Sequence, residues 1–154
     1  MPLLLAVCLP IILLDQAAKY WIERTLPLSH SIEIVQHFFH ITHIQNTGGA
    51  FGMFSGLQFP HFNTLFILVS LLAVGFIGFL YWKLSSQQYW PTMGMALIIG
   101  GALGNLIDRI RLGKVTDFID VHFYSYHWPA FNVADSAITI GSVILGVCLI
   151  LKKW

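Results

Sequence analysis

Charged side chains are scarce in this sequence: Asp, Glu, Lys and Arg make up 10% of its 154 residues. A soluble domain carries roughly 25% and needs them to cover its surface. With 56% hydrophobic residues, the chain cannot cover itself with water-compatible groups, and lipid is the expected solvent. The net charge is +1 with no block of either sign, so the electrostatic footprint of a nucleic-acid binder is missing. Cysteine is nearly absent as well. Cys8 and Cys148 lie in apolar runs, which argues against a disulfide framework and for two small buried hydrophobes. Several catalytic signatures are also lacking. There is no HExxH zinc motif, no G-x-S-x-G elbow and no glycine-rich phosphate loop, and neither Ser55 nor Ser136 has a base nearby in sequence. No internal repeat or disordered linker interrupts the chain.

What the sequence does contain is four long apolar stretches, at about 2–22, 62–82, 89–108 and 133–151. A membrane-spanning helix needs about 20 mainly apolar residues, so each is long enough to cross. The expected fold is an all-α integral membrane protein of one domain, residues 1–154, with four transmembrane helices. Four crossings put the 23–61 and 109–132 loops on one side, and both termini with the 83–88 connection on the other. The first stretch lacks a basic start and an A-x-A site and runs on through Tyr20, Trp21 and Ile22, so it reads as a retained helix. On the loop side stand Arg24, Arg109, Arg111 and Lys114 with Lys19 nearby; Lys83, Lys152 and Lys153 stand opposite. That count leans towards a cytoplasmic loop side, but the margin is too small to orient the chain. "SIEIVQHFFHITHIQ" predicts short strands and "NTGG" at 46–49 a turn, together a small sheet at the membrane surface. His37, His40 and His43 read as polar strand positions rather than metal ligands, since no carboxylates or thiolates cluster with them in sequence.

Ionisable groups inside a span cost a few kcal/mol or more, so each needs a partner or a task. Asp15 has Lys19 one turn later, either as an ion pair near the interface or as a structural element facing other helices. Gly101, Asn105, Asp108 and Arg109 share one helical stripe, and Gly100 with Gly104 forms a GxxxG pair suited to close packing. A packing seam explains the glycines; a buried Asn105 amide asks for hydrogen-bond partners as well. In the last span Asp135, Thr139, Ser142 and Gly146 form a small, polar stripe expected to face helices or water rather than lipid. Asn132 is placed to cap this helix, and Asp135 in its first turn gains from the helix dipole. Capping alone is one explanation of Asp135. The other is chemical: Asp117 and Asp135 both stand at the loop-side face, and two adjacent carboxylates share a proton, giving an acid and a base in one site. Asp120 competes with Asp117, and spacing does not choose between them.

In order along the chain, "DQAAKYW", "NTGGAFGMF", "GGALGNLIDRI", "GKVTDFID" and "PAFNVADSAI" resemble the motif series of bacterial lipoprotein signal peptidase, also called signal peptidase II. The resemblance runs from residue 15 to about 142. It implies an aspartic endopeptidase of the bacterial inner membrane, with the loop side periplasmic and the active site near that face. The substrate implied is a diacylglyceryl-modified prolipoprotein, cut on the N-terminal side of its lipid-bearing cysteine. The implied catalytic pair falls on Asp117 and Asp135, with Asp15, Asn46, Gly48, Asn105, Arg109 and Asn132 orienting site or substrate. No metal and no cofactor is expected, and the only partners expected are substrate and membrane lipid, for a monomer. One departure is the second glycine of "NTGGAF", where many relatives have alanine. From other functional classes, a small transporter or proton channel would use the same carboxylates as a relay, and a non-catalytic lipoprotein-binding scaffold would not need them ionisable.

Overall fold

The computed structural model describes residues 2–49, 61–84 and 88–151. Residues 50–54 of "NTGGAFGMF", Ser55, Lys152, Lys153 and residues 85–87 of the 83–88 connection lie outside the described residues. The elements run α1 (Pro2–Thr25), β1 (Ser31–Val35), β2 (Phe39–Asn46), α2 (Phe62–Leu84), α3 (Tyr89–Leu112), β3 (Val115–Phe123), β4 (Tyr126–His127) and α4 (Val133–Ile150). All four helices are long and apolar enough to cross a membrane. Their bounds stay close to the expected spans, except that α3 runs a full turn past 108, to Leu112, before Gly113 ends it at φ 74°. That left-handed residue satisfies the helix end by donating its N–H to the Arg109 carbonyl.

α3 is the central helix, packed against α1, α2 and α4. Its glycines serve two neighbours. A Cβ on Gly100 would press on the Cys8 Cα at 3.2 Å, and one on Gly104 on Asp15 Oδ2 at 2.8 Å, so this pair faces α1. A Cβ on Gly101 would collide with the Ala134 carbonyl, so Gly101 faces α4. On α4 the packing stripe is Ala134, Ala137, Gly141 and Cys148. Of the expected polar stripe, Asp135 is buried with them. Thr139 and Ser142 are exposed, and Gly146 has open space beside it. Small side chains let the backbones approach closely, and polar ones do not decide the face. By contrast, α2 buries only Tyr81 and shows Leu65, Leu72 and Phe76 outward.

The sheet is larger than the expected strands of the first loop. It is antiparallel, four-stranded and ordered β1-β2-β3-β4, so the loop after α3 supplies half of it. Register shifts between β2 and β3: Ile41 pairs with Ile119, but Ile44 with Asp117. One extra residue on β2 therefore makes a bulge, a device that re-aims side chains. It turns His43 inward, where Nδ1 meets the Leu26 carbonyl at 2.7 Å, and brings Asn46 to the level of Val115. On the other side of β3, an isolated bridge pairs Ile119 with Phe131. That bridge docks the entrance of α4 onto the strand carrying Asp117.

Candidate active site

The bulge and the bridge bring three asparagines around two aspartates. Asn46 Nδ2 donates to Asp117 Oδ2 at 2.9 Å, and Asn132 Nδ2 to Asp117 Oδ1 at 2.7 Å. Asn105 Nδ2 donates to Asp135 Oδ1 at 2.8 Å. Each amide is fixed as a donor by what its oxygen does. Asn46 Oδ1 accepts from the Gly48 N–H at 2.8 Å, Asn132 Oδ1 from the Asp135 N–H at 2.9 Å, and Asn105 Oδ1 from Lys19 Nζ at 2.9 Å. An ammonium and a backbone N–H can only donate, so the three NH₂ groups face the carboxylates. Asn132 therefore caps α4 as expected, and its side-chain amide touches both aspartates: its NH₂ donates to the Asp117 carboxylate and its oxygen accepts from the Asp135 backbone N–H.

Asp117 and Asp135 are both buried. Burial, and after it the charge of Asp135, pushes the Asp117 carboxyl from its ordinary value near 3.8 up to about 7, against the opposing hydrogen bonds from Asn46 and Asn132. Asp117 thus gains and loses its proton near neutral pH.

The competition with Asp120 is settled by geometry. The segment is a strand, and residues three apart on a strand point to opposite faces. Asp120 faces away from the α4 entrance and takes His127 Nδ1 at 2.9 Å.

Beneath the pair lies a second layer. Asp15 and Lys19 do form an ion pair, at 2.8 Å, but in the interior, with neither side chain exposed. Asp108 joins them, 2.9 Å from Lys19 Nζ. Asp15 Oδ1 accepts from the Ala134 N–H at 2.9 Å, and Asp108 Oδ2 from the Thr116 N–H at 3.2 Å. Gln16 bridges to Asp108 Oδ1 at 2.9 Å. This cluster ties α1, α3, β3 and α4 together directly under the asparagines. Sequence reasoning assigned no site role to Lys19, Gln16 or Asp108. The available signal was Asp15–Lys19 spacing together with Asp108 in the α3 stripe: two acids and one base left without solvent. Removing one member of such a buried group costs about 3–5 kcal/mol, because the others stay buried and unpaired.

Arg109 and Gly48 meet at the rim. Arg109 Nη2 donates to the Gly48 carbonyl at 2.6 Å, and its guanidinium lies 4.5 Å over the Phe66 ring. Buried Nη1 has no hydrogen-bond partner among the described residues. Every site residue expected from sequence thus falls in one connected region at the loop-side end of the helices.

Comparison with known proteins identifies the family. A family profile described as "Signal peptidase (SPase) II" matches residues 7–151. The chain belongs to the signal peptidase II family. A "Lipoprotein signal peptidase" of Geobacter sulfurreducens (strain ATCC 51573 / DSM 12127 / PCA) is 48% identical over 96% of this chain and 91% of the relative. That of Desulforapulum autotrophicum (strain ATCC 43914 / DSM 3382 / VKM B-1955 / HRM2) is 48% identical over 93% and 88%. A solved chain described as "Bacterial membrane enzyme structure by the in meso method at 2.3 A resolution" superposes with a TM-score of 0.85 at 32% identity, over 96% of this chain and 87% of that one. As a signal peptidase II, the chain is a multi-pass membrane protease. A cleft of about 330 Å³ opens beside Asp135, lined by Trp128, Phe131, Ser136, Thr139 and Ile140. In this signal peptidase II, exposed Thr139 therefore borders the site rather than a helix partner.

Proposed function

We propose that this chain is an aspartic endopeptidase that removes the signal peptide from diacylglyceryl-modified prolipoproteins, cutting on the N-terminal side of the lipid-bearing cysteine. The observation that carries the reading is the convergence of Asp117 and Asp135 on Asn132, with every nearby amide turned to donate to a carboxylate. Water held between the aspartates loses a proton to the ionised one as it attacks the scissile carbonyl, while the protonated one donates to the carbonyl oxygen. Collapse of the resulting diol breaks the C–N bond and delivers a proton to the leaving amine. The pair then again holds one proton. Asn46, Asn105 and Asn132 orient the carboxylates, Asp15 anchors the α4 entrance, and Arg109 with Gly48 holds the loop that borders the substrate.

The cleft supports the same reading. Its apolar lining suits a peptide entering from lipid, and its mouth lies at the membrane edge where water and acyl chains are both within reach. The side carrying the sheet is then periplasmic, the membrane is the bacterial inner membrane, and one copy of the chain is sufficient. The transporter alternative needs carboxylates spread through the membrane depth. Here Asp15 and Asp108 are locked by Lys19 and the rest cluster at one end.

Cleavage of a diacylglyceryl-modified prolipoprotein by the purified protein in detergent, with EDTA present, tests the proposal. Asp117→Asn and Asp135→Asn are each expected to lose at least about 10³-fold in kcat while keeping a cooperative thermal transition, the loss typical of removing a positioned acid–base group. Cleavage that survives either substitution would overturn the pair.

A further inference from the structure

The outer face of the sheet carries a cluster that the proposed reaction does not use. His40 pairs directly with Asp120 across β2 and β3, and His122 with His127 across β3 and β4. Asp120 and His122 are two apart on β3, so all four side chains leave the same face of the sheet. One donor atom from each of His40, Asp120 and His122 lies within 4.8 Å of the other two. His122 is 5% exposed, and its buried Nδ1 has no hydrogen-bond partner among the described residues. The rings crowd together, His40 against His122 at 4.2 Å between centroids and His122 stacked on His127 at 4.6 Å.

We propose that His40, Asp120 and His122 bind a divalent transition-metal ion, zinc by donor type, in a site that clamps the sheet and takes no part in peptide cleavage. Two imidazoles and a carboxylate form a common zinc donor set, leaving a fourth position for water. Metal–ligand bonds of about 2.0–2.1 Å put tetrahedral donor atoms roughly 3.3 Å apart. His40 Nδ1 and Asp120 Oδ2 are already 3.6 Å apart. Side-chain rotation alone closes the remainder, since the three Cα positions are fixed by strand register. His127 Nδ1 holds both Asp120 oxygens, at 2.9 and 3.0 Å, as outer partners hold a ligating carboxylate. Glu33 is 3.7 Å from His40 Nε2 and adds negative charge at the open side. An ion here joins β2 to β3, the strand that three residues earlier carries Asp117.

Titration of the tag-free, chelator-stripped full chain in detergent with Zn²⁺ tests this by calorimetry and thermal unfolding. Expected is one equivalent bound with a Kd of micromolar or tighter and a Tm higher by several degrees, with no effect of Mg²⁺. His40→Gln, Asp120→Asn and His122→Gln are each expected to weaken binding at least tenfold, to abolish the Tm rise and to leave peptidase activity unchanged. His30→Gln, at an exposed histidine outside the cluster, is expected to bind as wild type. Co²⁺ gives a reading that needs no variant: visible absorption of a low-symmetry nitrogen–oxygen site, displaced by one equivalent of Zn²⁺. Absence of saturable Zn²⁺ binding, equal affinity in all three variants, or a featureless Co²⁺ spectrum would overturn the site.

Discussion

At the scale of single residues, the site separates what stabilises the fold from what serves the chemistry. Asn132 serves both: it caps α4 and donates to Asp117. Asp117, one of the proposed catalytic pair, is held in its place at the expense of stability. Its native pKa, about 7, lies above its ordinary value near 3.8. The folded chain therefore holds a proton that the unfolded chain has lost, and folding is favoured by low pH at this position. The contribution is whole below about pH 4 and is lost as pH rises through about 7, on the order of 4 kcal/mol at the alkaline limit. Asp117→Asn keeps the size of the side chain and removes the ionisation. The expected result is a higher Tm than wild type at pH 8, a difference that shrinks towards pH 5, in a variant without peptidase activity. Thermal unfolding in detergent across that range measures it. A wild type whose Tm advantage grew with pH would place the proton elsewhere. The sequence made both aspartates and all three asparagines visible. Spacing left Asp120 open, because only a strand puts 117 and 120 on opposite faces, and the strand forms through pairing with distant β2.

At the scale of elements, helix existence was legible, and helix facing was legible on α3, where the glycine stripe is buried, more than on α4. Apolar length gave the spans almost to the residue, since lipid imposes a minimum on every crossing. The turn 109–112 was lost because Arg109 and Arg111 look like an interface, whereas in the fold Arg109 is buried and Arg111 pairs with Glu23 at 2.9 Å. Polarity alone did not name the residues that pack α4 against α3. Backbone approach is the better guide, and it separates two kinds of glycine. Gly101→Ala drives a methyl group into the Ala134 carbonyl at the α3–α4 contact. Such overpacking costs about 1–3 kcal/mol, and because Ala134 anchors Asp15 and adjoins Asp135, activity falls with stability. Gly75→Ala adds a methyl group where nothing lies within 4 Å. Its Tm is expected to equal or slightly exceed that of wild type, with activity unchanged. Thermal unfolding of the two variants side by side checks the contrast. Equal losses would mean that α3 and α4 do not touch at Gly101.

At the scale of the whole molecule, sequence could not orient the chain because it counted cations that never reach a surface. Lys19 is fully buried between Asp15 and Asp108, and Arg109 is buried against Gly48. Without these two, Arg24, Arg111 and Lys114 on the sheet side face Lys83, Lys152 and Lys153 on the other, and the bias towards a cytoplasmic sheet disappears. The proposed periplasmic sheet therefore meets no charge penalty. The long-range pairings were illegible for a related reason. β3 lies beyond two further spans from β2, and no local pattern announces that His40 will stand opposite Asp120. Orientation itself is open to direct measurement. Cys8 and Cys148 are buried, so an added thiol is read against a low background. Ile34→Cys places one on exposed β1, and Lys83→Cys places one at the far end of α2. In spheroplasts, a membrane-impermeant maleimide is expected to label Ile34→Cys at once and Lys83→Cys only after lysis. The reverse pattern would put the aspartate pair in the cytoplasm, on the wrong side of the membrane for an exported lipoprotein, and the proposed substrate would fall with it.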